Sequence, residues 1–424
     1  MATQDTFRDI NWDDMGGVGL SGTGKQMLAF AALYLGVLAY DGLLLQDGLN
    51  VLLLSPLGME GSALGQFVAN TTGPTLWIPF EAVGLDFTFT WDFSGTDWLF
   101  IVTVAVGYFY GVKPLQNNPR LAANYWRQFK KNRAAVVSAI YLAIIFVIGI
   151  VGPLFLQSPE IQPLEAYQPP VFMTVPNTVP ISCLGDVATN AAGTQVCQGT
   201  WAYPLGTTGE GQGILKLLVL GMRVSMQVGL ITMLLVITLG SLVGTTAAYF
   251  GGYVDEVLMR YVDLQASVPS FFLFLILSYF FEPTLFMLIA LFGLLGWEGT
   301  ARLVRSEALQ RTEEEYVRAA ENAGASDGWV IRRHILPNVS NTIITNASLL
   351  IPGYILFEAA LAFLGVTDPG IASWGKTISA GRGDLANAPW IATIPGIFLF
   401  FTILGFNFLG DALGDALDPR RGDT

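Results

Sequence analysis

The 424-residue chain carries few groups able to do covalent chemistry. His334 is its one histidine, and no CxxC or HExxH spacing occurs. A metal site therefore has no candidate ligands, and no nucleophile–base arrangement is visible. The run GLSGTGKQ at 19–26 nearly spells a phosphate-binding loop, with Gly19, Gly24 and Lys25 in register. Such a loop needs Ser or Thr after the lysine, to hold magnesium, and a strand before it. Gln26 takes that place and an apolar run follows at once, so the segment reads as a flexible entry to a helix. No catalytic residue, cofactor or metal is expected.

The remaining chemistry is that of contact. Residues 302–334 hold twelve charged side chains, six of each sign. Within them Thr312-Glu313-Glu314-Glu315 reads as a capping box, the Thr hydroxyl taking an orphan N–H and Glu315 reaching back to the Thr amide. The spacing predicts a helix over 312–324 that puts Tyr316, Ala319, Ala320, Ala323 and Gly324 on one face and Glu314, Arg318 and Glu321 on another. Gly324 is a natural stop. Ser326-Asp327 can cap a second short helix through Trp329, Ile331 and Arg332, ending before Pro337. One reading is an amphipathic hairpin lying on lipid, but that use favours bulky apolar residues and a Lys/Arg-rich polar face. A small-residue face with balanced charges better suits a groove on another protein.

The elements that position this segment are membrane helices. Only 13% of residues are charged, against roughly 25% in soluble domains, while 52% are hydrophobic and mean hydropathy is +0.52. A soluble enzyme is excluded. A net charge of −12 argues against a nucleic-acid surface and suggests exposed parts solvated for high salt. Crossing a membrane takes about 20 apolar residues. The runs 134–159, 224–254, 264–281, 284–297, 339–357 and 389–410 qualify, with Glu282-Pro283 as a turn, and 27–46 and 98–112 form a weaker N-terminal pair. The expectation is an all-α polytopic membrane protein of about eight transmembrane helices. Residues 113–133 carry six basic side chains and no acid, whereas 47–97 and 156–212 contain no Lys or Arg. The first is placed inside and the others outside, which leaves both termini cytoplasmic. The acidic first residues do not resemble a signal peptide.

Cys183 and Cys197 share the outer stretch. They either form a disulfide, which an oxidising exterior permits, or remain two thiols. Asn70-Thr71-Thr72 is a weak glycosylation signal. Asp41, Asp263, Glu298 and Glu358 fall in or near spans, where a charge usually faces protein or water. Glu358, which follows the long 339–357 run, is the candidate lining of a translocation path; Asp263 and Glu298 read as interfacial. Gly240-x-x-x-Gly244 reads as helix packing.

The run EYVRAAENAGASDGWVIRRHILPN at 315–338 resembles the EAA loop of ABC-importer permeases, with Ala319, Ala320, Gly324 and Leu336-Pro337 at the expected spacing. In order there follow or precede it WRQFKKNR (126–133), Pro204-Leu205-Gly206-Thr207, Gly221-x-Arg223-x-Ser225, Tyr249-Phe250-Gly251-Gly252, Asp255, 260–263, Pro269-Ser270, EAALAFLG (358–365), Ser373-Trp374-Gly375, Ala388-Pro389-Trp390, Pro395-Gly396 and FNFLGDALGDALDPR (406–420). The pattern resembles the second permease subunit of dipeptide/oligopeptide (and nickel) importers over about 126–420. The resemblance implies a six-helix type-1 permease core plus the extra N-terminal pair. It divides the chain into a tail (1–24), the extra pair (25–113), a basic linker (114–133), a first core span (134–155), an extracellular loop (156–215), the core (216–411) with coupling loop 306–338, and a tail (412–424). It implies peptide transport by alternating access, with nickel or another small solute as the alternative. It also implies a second permease, two ABC ATPases that hydrolyse the ATP, and an extracellular binding lipoprotein. Glu315, Tyr316, Arg318, Ala319, Ala320, Ala323, Gly324, Leu336 and Pro337 would meet an ATPase. Arg318 stands where the motif usually has Glu, Gly414 replaces a usual Arg, and 207–213 lacks the usual Asp-x-x-Gly-Arg-Asp. A secondary transporter or an intramembrane enzyme would leave the 315–338 pattern unexplained.

Overall fold

Helices dominate because the apolar runs must satisfy their own backbone groups in lipid. The computed structural model describes residues 22–40, 94–156 and 159–417. Asp41, the Asn70 signal, Gly19 and the Asp418-Pro419-Arg420 end of the last motif lie outside them. In order come α1 (Gly22–Tyr40), α2 (Gly95–Val106), a π-helical turn (Gly107–Val112), α3 (Lys113–Asn117), α4 (Pro119–Phe129) and α5 (Arg133–Phe155). After the outer segment follow α6 (Ile214–Phe250), α7 (Gly252–Ala266), α8 (Ser270–Phe280), α9 (Leu285–Leu295) and α10 (Glu298–Thr312). The remainder is α11 (Glu315–Asn322), α12 (Asp327–Val330), a second π-helical turn (Ile331–Ile335), α13 (Leu336–Phe363), α14 (Trp374–Gly381) and α15 (Trp390–Leu417).

Among the described residues six stretches are long and apolar enough to cross a membrane, and α7 with α8 makes a seventh, bent by 62°. With α1 these correspond to the eight expected. The chain is a multi-pass membrane protein. The boundaries differ from the charge-free runs in instructive ways. The run at 224–254 belongs to a helix that starts ten residues earlier, at Ile214, because it absorbs Lys216 and Arg223. The run at 264–281 is the far half of the broken span; Ser267-Val268-Pro269 interrupts it. The run at 284–297 is only α9, and α10 prolongs it to Thr312.

Two units are distinguished. In the first, α1 takes in Gly22 to Lys25, so Gly24 and Lys25 sit in a helical turn. Phe30 stacks on Tyr34 and meets Phe109 edge to face, with ring centres 6.1 Å apart in each pair. The second unit, residues 94–104 and 115 onward, is organised around α6. Helices α5, α9, α10 and α13 pack on it, and α15 covers α5 and α13. Glycines set these contacts. A Cβ on Gly240 would lie 2.7 Å from the Thr300 side chain, and one on Gly244 2.5 Å from the Ala301 carbonyl. The Gly-x-x-x-Gly pair is thus the seat of α10 on α6, the close approach that small residues permit.

The tryptophan motifs have equally direct roles. Trp374 is fully buried and donates its indole N–H to the Leu218 carbonyl at 3.0 Å, in the space left by Gly221. Trp390 donates to the Thr207 carbonyl at 3.0 Å and lies over Gly206, whose φ is +80°. A buried indole must find such a partner.

Between α5 and α6 the otherwise helical chain carries one small sheet. Strands Thr174–Pro176 (β1), Val187–Thr189 (β2) and Gln195–Gln198 (β3) form an antiparallel sheet in the order β1-β3-β2, with Cys197 opposite both Val175 and Val187. A disulfide joins Cys183 to Cys197. Strands of three and four residues give too short an alternation to register as a period. The Tyr203 hydroxyl donates to Glu165, and burial together with that carboxylate pushes its pKa up to about 12.

Candidate functional site

The site is the turn between α10 and α13. Helix α10 runs through Thr312, whose hydroxyl donates to the Leu309 carbonyl at 2.9 Å. Thr312 is therefore the last residue of one helix and not the cap of the next, and no capping box forms. The chain turns at Glu313 and Glu314, and α11 occupies Glu315–Asn322 without a side-chain cap. The sequence pattern is shared by a helix C-terminus, which explains the different outcome.

The far end of α11 closes with two crossed hydrogen bonds, Ala325 N–H to the Ala320 carbonyl at 3.1 Å and Gly324 N–H to the Glu321 carbonyl at 2.9 Å. Gly324 has φ +85°. This is a Schellman stop, and it requires the left-handed conformation that glycine adopts at least cost.

The second short helix does not end before Pro337. Helix α12 passes through the π-helical turn Ile331–Ile335 directly into α13, where Leu336 N–H reaches the Ile331 carbonyl. Pro337 then stands in the first turn of α13, directly after the π-helical turn. The loop is thereby fused to a 37-residue helical rod, Asp327–Phe363.

Val317, 1% exposed, anchors α11, and Val330, Ile335 and Val339 are wholly buried below. Sequence reading missed Val317 as the anchor; its isolation as a β-branched residue among charged and small ones was the available signal. Tyr249, at the end of α6, donates to Asp327 at 3.1 Å. Asn338 donates to the Tyr316 hydroxyl at 3.1 Å and to the His334 carbonyl at 2.6 Å. His334 packs against Trp329 and Tyr316, with ring centres 5.0 and 5.7 Å apart. Glu315, Tyr316, Arg318, Ala319, Ala323 and Gly324 stay exposed, as do Leu336 and Pro337. Ala320 is the exception in the expected face: it is half-buried beside Val317, because i and i+3 share the inward side.

Ion pairs brace the same end of the bundle. Arg305 grips Asp255 with two bonds of 2.5 Å, and Arg302 pairs with the exposed Asp263 at 3.1 Å, tying α7 to α10. Glu298 opens α10, with one carboxyl oxygen unbonded among the described residues.

Glu358 lies elsewhere. It is 1% exposed on α13 beside Ser373 and does not reach the open cavity between α10, α13 and α15. Another buried carboxylate, Asp97 of α2, is held by Arg223 and by the Gln227 amide of α6. Ser94 donates to Asp97 from backbone and side chain. The pairing was invisible in sequence, since its partners stand 126 and 130 positions apart.

A helical membrane bundle with a short helix looped out between two core spans is the architecture of a transport permease. The chain belongs to the binding-protein-dependent transport system inner membrane component family, whose description matches residues 213–423. Residues 121–170 match the N-terminal transmembrane domain of oligopeptide transport permease C. It is 33% identical to the oligopeptide transport system permease protein OppC of Haemophilus influenzae over 295 residues, which is 69% of this chain and 87% of that one. It is 34% identical to OppC of Escherichia coli (69% and 89% covered). It is 31% identical to the dipeptide transport system permease DppC of Alkalihalophilus pseudofirmus (70% and 91% covered).

Proposed function

We propose that this chain is the permease subunit of an ABC importer that moves di- and oligopeptides across the cell membrane. It pairs with a second permease, receives substrate from an extracellular binding lipoprotein, and is driven by two ATPase subunits that hydrolyse the ATP. Residues 216–411 act as its type-1 core and 306–338 as its coupling loop, with both termini in the cytoplasm. The substrate class follows the relatives' names, which are peptide permeases and not nickel permeases.

The observation that carries the coupling role is the exposed side of α11. Tyr316, Ala319, Ala323 and Gly324 form a small flat surface, while Val317 fixes the other side to the bundle. A docked ATPase moving this helix would move α13 with it. ATP biases the two states only through a free-energy difference between them, so the attachment must be stiff. Co-purification of an ATPase with the tagged chain, and a cross-link from a cysteine at Ala319 to that ATPase, test the reading. ATP-independent uptake by vesicles bearing this chain alone, or labelling of position 319 from outside the cell, would refute it.

A further inference from the structure

A cavity of about 820 Å³ opens between α10, α13 and α15, next to the coupling turn. Its size falls within the roughly 300–1,000 Å³ of sites that enclose a drug-sized ligand. Its wall is unusual for a span. Asn341, Thr342, Thr345 and Asn346 follow one another on one side of α13, and Gln310 faces them from α10. Hydrogen-bonding side chains inside a membrane helix are costly unless they face protein or a wet cavity.

These groups are only partly used by the fold. The Asn341 amide donates to the Leu417 carbonyl at 2.8 Å and that of Asn346 to the Thr300 hydroxyl at 2.9 Å. Each amide oxygen is left to accept. Gln310, Thr342 and Thr345 make no hydrogen bond to the described residues. Glu307 and Arg311 also line the cavity, but they pair with each other at 2.9 Å and cancel in charge, while the Arg311 Nε–H is buried without a partner. Gly414 contributes no side chain, which keeps the space open.

The wall therefore offers neutral donors and acceptors side by side and no net charge. A divalent cation would want several carboxylates, imidazoles or thiolates; here the single carboxylate is already paired. A peptide main chain alternates N–H and C=O and matches amides and hydroxyls that can serve either role. We infer that this cavity binds the backbone of a peptide in transit, independently of its side chains. The inference rests on the importer reading and adds to it a site and a basis for broad substrate tolerance.

The test uses the complete transporter in proteoliposomes, with trialanine and its backbone N-methylated analogue as probes. Comparing their uptake ratio between variants cancels the preference of the binding protein. The wild-type transporter is expected to favour trialanine on the order of fivefold per blocked N–H that meets the cavity. In the double variant Thr342→Val, Thr345→Val the preference should fall at least twofold, with ATPase activity still stimulated by the binding protein. A ratio equal in the two transporters would overturn the proposal. A benzophenone side chain introduced at position 342 should capture peptide during turnover; capture of the second permease alone would also overturn it. Both results leave ATP-driven uptake intact and so spare the importer reading. Absence of ATP-driven uptake in the wild type would remove both.

Discussion

Replacing Gly324 separates a docking role for α11 from a merely exposed loop. A Cβ at Gly324 meets nothing within 4 Å in this chain, so a side chain there alters only the backbone conformation and the face offered to the ATPase. Holding a non-glycine residue at φ +85° costs about 1–2 kcal/mol. Gly324→Ala should thus loosen the end of α11 by about that amount, and Gly324→Asn by less, since Asn tolerates this region. Gly324→Pro is more severe: its ring fixes φ near −65° and deletes the N–H that bonds Glu321. With the lost hydrogen bond adding about 1 kcal/mol, the cap should be weakened by roughly 3 kcal/mol or more. The position is exposed, so membrane insertion and thermal stability in detergent should barely change. ATP-driven peptide uptake by the reconstituted transporter should fall in the order Asn, Ala, Pro, with Pro near background. Full uptake by Gly324→Pro would refute the reasoning, and so would an Asn variant as poor as the Pro variant.

Three further outcomes are expected. Asp97→Ala strands Arg223 in a half-buried site and should cost about 1–3 kcal/mol, less than a fully buried pair because the guanidinium is partly exposed; the double variant with Arg223→Leu should recover part of the loss in detergent melting. Gly244→Leu drives a side chain into the Ala301 carbonyl and should destabilise α6 against α10 by 1–3 kcal/mol or more, read as lower yield of monodisperse protein. Cys183→Ser removes the closure of a short loop worth about 3 kcal/mol and should expose the β1–β3 segment to protease added outside, with little change in the span region.

Most of the fold was legible because lipid imposes one strong rule, an apolar run of fixed length, on each span. The rule errs where a charge is paid for locally. Arg223 ended the apolar run in sequence, yet the helix continues through it because Asp97 supplies a counter-charge from α2. The α10–α11 boundary failed for a different reason. Thr312-Glu313-Glu314-Glu315 satisfies a local capping rule, but the Thr312 hydroxyl bonds back to the Leu309 carbonyl and so belongs to the end of α10. Gly324 was readable because positive φ is a single-residue requirement. Val317 was not, because burial depends on which side the bundle lies.

The fusion of α12 to α13 bears most on mechanism. A break before Pro337, the arrangement local propensity favours, would leave a hinge between the coupling turn and the span. The chain instead continues through the π-helical turn into α13, with Pro337 in the first turn after it. The short turn 323–326, with Gly324 at φ +85°, is then what separates α11 from the rod that carries Asn341, Thr342 and Thr345. The Tyr249–Asp327 bond holds the same turn to the end of α6, and Val317 is buried under α11. A displacement of α11 by about one helical turn, 5.4 Å, could not be absorbed within the loop. It would have to appear as a tilt of α13 against α10 and α15, the two helices that complete the cavity. On the importer reading, force taken up at α11 crosses the short turn 323–326 and then enters the rod Asp327–Phe363, whose side carries Asn341, Thr342 and Thr345, so docking and cavity are coupled through that turn and the Tyr249–Asp327 bond.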